Sequence, residues 1–511
     1  MRKLIRLARY LIRKRIVVAV MILSQLAFLM IFVYSMSQFA LPVYSALIFL
    51  SVIVVIYIVN RPDNPSYKLS WAILILVVPI VGGVLYLVFG GKKIPKALRK
   101  EMVTSSNVNA PFLIQDPAVL NQIRHMDPQI FKQINYLWRN CYFPVYKNTQ
   151  TEYFAIGEAK FEAMKRELKK AERYIFVEYF IVKQGLMWDS IQEILVEKVK
   201  EGVDVRLIYD DFGSTDLPRD FASRMNALGI KTFIFNPLKP LLAILMNNRD
   251  HRKICVIDGK VGFVGGINLS DEYINVVERF GHWKDTAVMI KGEAVWSLTV
   301  MFLTFYNYLS KENEDILQFK NTDFPDYITD GFVQPYSDSP TDEEQVGETV
   351  HMNIINLSKR YVYIMTPYLI IGYEMQKALI TAAKNGIDVR LMVPHIPDKW
   401  YVHAITKSNY EQLIKGGVRI FEYEPGFMHA KTLVADDEAA IIGTTNMDFR
   451  SYYMHFECGI LFIESKVISD LKNDFLQTQK QCIEITMEDC LRVPTLRRWG
   501  RAILNLFSAI L

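Results

Sequence analysis

The chain has 511 residues, more than one typical domain of ~100–200 residues, and 51% of its side chains are hydrophobic. Its net charge of +5 is unevenly placed: residues 1–15, 90–100 and 491–511 carry +7, +5 and +4, which leaves −11 on the remainder, a poor electrostatic footprint for nucleic acid. The five cysteines (Cys141, Cys255, Cys458, Cys482 and Cys490) form no CxxC pair and no metal-ligand spacing, which argues against a disulfide framework or a cysteine zinc site and fits a reduced compartment.

In chain order, residues 1–91 read as a membrane region. Three apolar segments, 16–34, 39–59 and 69–89, each approach the ~20 residues that cross a hydrocarbon core. The first is too long, and too closely followed by another, for a cleaved signal peptide. Basic clusters at residues 1–15 and 90–100 both favour the cytoplasmic side, yet three full spans would separate them. Either the third segment, which holds Pro79, Gly82 and Gly83, is re-entrant, or the first lies in the interface. The expectation is an integral, multi-pass membrane protein whose catalytic region faces the cytoplasm and meets anionic lipid through its basic clusters.

Residues 92–148 form a polar connector, partly helical near 117–141. In residues 149–310, strands are predicted at 174–179, 203–210, 231–235, 252–258 and 287–291, with helices at 157–170, 187–201, 220–228 and 293–309. Residues 238–246 (LKPLLAILM) form an apolar insert before His251 that suits either acyl-chain contact or a buried helix. Residues 330–490 repeat the order of elements. The tail, 491–511, combines four arginines with Trp499, Ile503, Leu504 and Phe507, as an interfacial amphipathic helix or a helix packed on the core would. Alternating strands and helices imply an α/β fold with a mixed sheet flanked by helices in each half.

The two halves share a motif. His251, Lys253 and Asp258 are followed by Gly265, Gly266 and Asn268; His429, Lys431 and Asp436 are followed by Gly443, Thr444 and Asn446. The His-to-Asn separation is 17 positions in both copies. Upstream, Arg173-Tyr-Ile-Phe176 is echoed by Arg360-Tyr-Val-Tyr363, and Gly202-Val-Asp-Val-Arg-Leu207 by Gly386-Ile-Asp-Val-Arg-Leu391. Two units point to a pseudo-two-fold pair.

A lone histidine on an apolar strand is usually a satisfied core residue; its repetition with the same companions argues for catalysis. If the motif is a strand, His and Lys at i and i+2 project together. Two facing pairs make a phosphodiester site: one neutral imidazole attacks phosphorus, and the other, protonated, donates to the departing alkoxide. Lys253, Lys431, Asn268 and Asn446 would neutralise the non-bridging oxygens, so no metal or other cofactor is required. Asp258 and Asp436 follow the strand and suit either a turn cap or a phosphate contact.

These residues resemble the phospholipase D superfamily, and within it the bacterial cardiolipin synthases. The likeness rests on Gly265-Gly-Ile-Asn268, His282-Trp-Lys-Asp285, Thr366-Pro-Tyr368, Gly426-Phe-Met-His-Ala-Lys431 and Gly443-Thr-Thr-Asn446-Met-Asp-Phe-Arg-Ser451, and runs from about residue 69 to 485. The resemblance implies two phospholipase D-like halves behind a helical transmembrane region in the bacterial plasma membrane. It also implies a ping-pong transfer: a histidine takes a phosphatidyl group from phosphatidylglycerol, glycerol leaves, and a second phosphatidylglycerol attacks to give cardiolipin. By the same resemblance His251 is the nucleophile and His429 the general acid/base, with the reverse assignment open, and the orienting carboxylates are Asp285, 34 residues after His251, and Glu457, 28 after His429, each in the element after the Asn of its half. Where such sequences usually read Asn-Phe-Glu, this chain reads His455-Phe456-Glu457. The motif does not separate a synthase from a hydrolase or another phosphatidyltransferase, since water and alcohols attack the same intermediate. A tethered nuclease is disfavoured by the acidic body, and an inactive scaffold by two intact motifs. The sequence leaves oligomeric state open.

Overall fold

The computed structural model describes residues 27, 40–90, 100, 110–237 and 248–509, apart from 313, 328, 330 and 343. The predicted segment 16–34 and the apolar insert 238–246 therefore lie almost wholly outside the described residues. The chain divides into two compact units, one of residues 1–93, 238–247 and 506–511, the other of residues 94–237 and 248–505.

In the first unit, helix Ala40–Val59 leads through a turn to helix Pro65–Val77. The Asn64 side chain caps the second helix by accepting from the Ser66 N–H at 2.9 Å, and Pro65 fills its first turn, where no N–H is needed. The predicted third span, 69–89, is two pieces. Val78 leaves helical geometry because Pro79 follows it, and a second helix, Pro79–Phe89, starts there. The pieces pack closely at Gly82, where a Cβ would stand 2.5 Å from the Leu74 carbonyl oxygen. Trp71 meets Tyr67 and Tyr86 edge-on. Among the described residues no helix is long and apolar enough to cross a membrane.

The second unit holds both halves. The first contributes β1 (Thr149–Phe154), β2 (Tyr174–Tyr179), β3 (Asp204–Asp210), β4 (Lys231–Phe235), β5 (Arg249–Asp250), β6 (Lys253–Ile257), β7 (Val261–Gly265), β8 (His282–Lys284) and β9 (Ala287–Gly292). The second contributes β10 (Phe332–Asp338), β11 (Tyr361–Met365), β12 (Leu369–Ile370), β13 (Asp388–Pro394), β14 (Arg419–Tyr423), β15 (Gly426–Met428), β16 (Thr432–Ala435), β17 (Ala439–Gly443), β18 (Met447–Asp448), β19 (His455–Ile463) and β20 (Cys482–Ile485).

The first sheet runs β1-β9-β7-β6-β2-β3-β4 and the second β10-β19-β17-β16-β11-β13-β14-β20. All seven strands of the first sheet have a counterpart in the second, and both sheets are mixed: β2·β3·β4 and β11·β13·β14 are parallel, the other pairs along each order antiparallel. The sheets face each other across a shared core that includes the helices Val295–Ser310 and Lys466–Gln479. Strand alternation decides what enters it. Tyr174 and Phe176 of β2, and Tyr361, Tyr363 and Met365 of β11, point into the shared core. Ile175, Val177, Val362 and Ile364 point to the outer layers. The tail forms helix Thr495–Leu506, whose Leu496, Trp499 and Ile503 are exposed on one side while Arg498 pairs with Glu411 at 2.7 Å.

Candidate active site

The two histidines do not lie on strands. β5 ends at Asp250 and β6 begins at Lys253; β15 ends at Met428 and β16 begins at Thr432. The expectation of a continuous motif strand fails because the chain changes sheets at the histidine. β6 and β16 belong to their own halves, but β5 pairs with β19 of the second half and β15 with β8 of the first. His251 N–H donates to the Phe456 carbonyl at 2.9 Å, and His429 N–H donates to the Lys284 carbonyl at 2.7 Å. Each bond lands on the residue just before a carboxylate, so the backbone register itself delivers Glu457 to His251 and Asp285 to His429.

The side chains complete this exchange, so Asp285 and Glu457 each serve the histidine of the opposite half, not the one each follows in its own half as expected. His251 Nδ1 lies 3.0 Å from both oxygens of Glu457, and His429 Nδ1 lies 2.6 Å from Asp285 Oδ2. A carboxylate accepts from a protonated Nδ1, which leaves the Nε2 lone pair of each ring for chemistry. Both rings are buried among aromatic side chains: Phe180 stands edge-on to His251, while Trp283, Tyr273 and Phe427 surround His429.

The two carboxylates are held differently. Asp285 presses against Gly266, where a Cβ would stand 2.1 Å from its Oδ1, and it accepts from its neighbour's N–H, Thr286, at 2.8 Å. Thr444 occupies the matching position of the second half, and its hydroxyl donates to Glu457 Oε2 at 2.5 Å. The second glycine of the first motif thus clears room for a carboxylate that the second motif instead hydrogen-bonds.

Electrostatics follow burial. Burial lowers His251 to about 3, against the pull of Glu457, and lowers His429 well below the ordinary imidazole value, so both rings rest neutral. Burial raises Asp285 to about 6 despite Lys431 nearby. Glu457 sits below the carboxylate range: burial alone would raise it, but His251 outweighs that. Lys253 and Lys431 are lowered by burial to about 8 and about 7, with Glu457 and Asp285 respectively opposing. Their ammonium groups donate to the carbonyls of His251 and His429, which fixes each lysine beside its histidine.

The two aspartates of the motif are placed elsewhere. Asp258 accepts the N–H groups of Glu172, Arg173 and Tyr174 at 2.8–2.9 Å, and Asp436 accepts those of Lys359, Arg360 and Tyr361. Both sit in left-handed backbone conformation at the turn after the motif strand (φ 55° and 59°). They clamp the entry to β2 and β11, with their acceptor capacity spent on backbone, so the expectation that groups them with the reacting residues gives way to the turn cap. Asn268 is likewise occupied: Oδ1 accepts from the Ile181 N–H at 3.0 Å and Nδ2 donates to the Tyr273 hydroxyl at 2.7 Å. Asn446 is buried, and its Oδ1 lacks a hydrogen-bond partner.

Sequence reasoning missed the groups that hold the exchanged strands. Lys284 of β8 pairs with Asp474 of the second half at 2.7 Å. Next to β5, Arg252 pairs with Glu178 and Asp250 at 2.6 and 2.9 Å, and the Asp250 N–H donates to Asp210. Lys284 lies within the His-Trp-Lys-Asp run, which was the available signal; Asp474, Glu178 and Asp210 carry none.

Comparison with known proteins agrees with this geometry. The family model "Cardiolipin synthase, PLD-like domain" matches twice, at residues 164–296 and 352–479, and so covers both histidine segments. The chain belongs to the cardiolipin synthase family of phospholipase D-like proteins. The model "Phospholipase_D-nuclease N-terminal" matches residues 49–91. A cardiolipin synthase of Geobacillus kaustophilus is 33% identical over 92% of this chain and 94% of its own length. Cardiolipin synthase 2 of Staphylococcus epidermidis is 32% identical over 90% and 95%. An uncharacterized protein of Streptococcus mutans is 44% identical over 84% and 94%. The crystal structure of phosphatidylserine synthase from Haemophilus influenzae shares the fold, with a TM-score of 0.58 at 14% identity over 74% of this chain and 99% of its own.

Proposed function

We propose that the chain makes cardiolipin by transferring a phosphatidyl group from one phosphatidylglycerol to a second, with glycerol as co-product. The observation that carries this reading is the paired exchange, His251 with Glu457 and His429 with Asp285, in a family of this name. Both imidazoles keep a free Nε2 and a negatively charged or chargeable partner at Nδ1.

His251 Nε2 attacks the phosphorus of the first phosphatidylglycerol. The P–O bond to glycerol breaks, and His429, protonated alongside the bound phosphodiester anion, gives its proton to the departing alkoxide. The product is a phosphatidyl group on His251, whose cationic ring is matched by Glu457. Neutral His429 then takes the proton of the second phosphatidylglycerol's glycerol hydroxyl, whose oxygen attacks phosphorus and frees His251. Lys253, Lys431 and the Asn446 amide meet the non-bridging oxygens, and the surrounding aromatic side chains keep water scarce. Asp285 and Glu457 are positioning residues.

The same reading places the chain in the bacterial plasma membrane with its catalytic unit facing the cytoplasm. Support comes from the apolar segments of residues 1–91 and the N-terminal family match there. The exposed Leu496, Trp499 and Ile503 beside arginines give the tail an interfacial face for anionic lipid.

The test is a product assay with detergent-solubilised protein on phosphatidylglycerol in EDTA. Cardiolipin with equimolar free glycerol is expected. Phosphatidic acid alone would make water the acceptor, and an absence of lipid product would defeat the reading.

A further inference from the structure

Around Glu457 the site holds a third group that the transfer reaction does not use. His455 stands two residues before Glu457 at the start of β19, with its ring tilted beside that of His251 at 5.5 Å between centroids. Its Nδ1 lies 3.6 Å from Glu457 Oε1, too far for a hydrogen bond, and is buried without any hydrogen-bond partner. A buried imidazole nitrogen left unpaired costs free energy unless something else occupies it.

One ligand atom each from His251, His455 and Glu457 lies within 4.8 Å of the others. His251 Nδ1 stands 3.0 Å from Glu457 Oε1, the same oxygen that His455 Nδ1 approaches. Tetrahedral zinc, with bonds of ~2.0–2.2 Å to nitrogen and oxygen, sets its ligand atoms roughly 3.3 Å apart, between the 3.0 and 3.6 Å seen here. Two imidazoles and one carboxylate are a donor set that favours zinc over magnesium or calcium. The Lys253 ammonium beside it is held on the His251 carbonyl oxygen, to which it donates.

The other histidine has no such neighbourhood. The residue two before Asp285 is Trp283, and the rings around His429 are Trp283, Tyr273 and Phe427, none of which ligates zinc. Among the described residues the duplicated site is therefore asymmetric, with a cluster of three possible ligands on the His251 side.

We infer that His251, His455 and Glu457 form a zinc-binding site whose occupation silences the enzyme. Silencing, though not binding, rests on the proposed phosphatidyl transfer. A cation between these groups takes His251 Nδ1 and Glu457, so the proton they share leaves to solvent. A metal-bound imidazole is a poorer nucleophile at Nε2, and Glu457 no longer matches the charge of a phosphohistidine. Zinc acts here as a reversible inhibitor at the reacting residue, through a third ligand supplied by His455.

The experiment titrates Zn2+ into EDTA-stripped, full-length protein in detergent by calorimetry, and separately follows cardiolipin formation. Wild type should bind one equivalent and lose activity over the same concentration range. His455→Asn and His455→Gln should each bind at least tenfold more weakly and need at least tenfold more zinc for inhibition, with melting temperatures near wild type. His429→Ala, outside the ligand set, should bind zinc as wild type does. Equal zinc affinity in wild type and both His455 variants, or no zinc uptake by wild type, would overturn the site. If the wild type makes no product, the transfer reading fails, while calorimetry still decides the site.

Discussion

His251 shares its Nδ1 proton with Glu457, a residue 206 positions further along the chain and in the other half of the catalytic unit. His429 does the same with Asp285, 144 positions earlier. Glu457→Gln keeps size but offers an amide, which spoils tautomer control and charge matching at once. We expect cardiolipin synthesis to fall by ~10²–10⁴-fold with the fold intact, and Asp285→Asn to behave alike. Initial rates alongside thermal melts check this.

The roles of the histidines separate in a trapping experiment. With phosphatidylglycerol labelled in its phosphate, His429→Ala should retain label covalently on protein under base and release it in acid, as a phosphohistidine does. His251→Ala should hold none. The opposite pattern would exchange nucleophile and acid/base.

Gly266 has its place beside Asp285 because no Cβ fits there: the nearest carboxylate oxygen would be 2.1 Å away. Gly266→Ala should push Asp285 off His429 and reduce kcat by at least about tenfold, the scale of losing a partner that orients a reacting group. Thr444→Ala at the matching position removes only a hydrogen bond to Glu457 and should cost less. Steady-state kinetics of the two variants test the contrast.

Asp258 and Asp436 make the reverse case. Each carboxylate satisfies three backbone N–H groups. Asp258→Ala or Asp436→Ala should cost on the order of 3 kcal/mol and lower the melting temperature by roughly 3–4 °C. Activity per folded molecule, measured well below the melt, should stay within a few-fold of wild type.

The pH profile of kcat/KM should be bell-shaped. As pH falls through about 6, Asp285 takes a proton and stops supporting a charged His429, so the rate drops on the acid side. As pH rises through about 7 to 8, Lys431 and then Lys253 lose the charges that meet the phosphate oxygens, and the rate drops again. Asp285→Asn should flatten the acid limb and leave the alkaline one.

The sequence carried the doubled motif plainly, because His, Lys and Asn recur at fixed spacing in both halves. The strands at 174–179 and 231–235 also matched their patterns, and the ends of the four helices expected in residues 149–310 fell within two residues of expectation. The exchange of carboxylates was invisible for a physical reason. β5, β8 and β15 are two or three residues long, too short to carry periodicity, and their partners lie in the opposite half. β1 was missed because its burial alternates irregularly, and β7 because it is bounded and interrupted by glycine. The break at Val78 was announced only by Pro79, which fits a re-entrant segment as well as two separate helices.

Because each histidine borrows its carboxylate from across the pair, half of this enzyme is not half as active; it is chemically incomplete. A half-length ancestor would have had to work as two identical copies, each lending an acid to the other's base. Within one chain the two copies need not match, and they differ where Gly266 stands against Thr444 and Trp283 against His455. The same arrangement makes catalysis a report on assembly, since a misdocked half disables its own histidine and its neighbour's together.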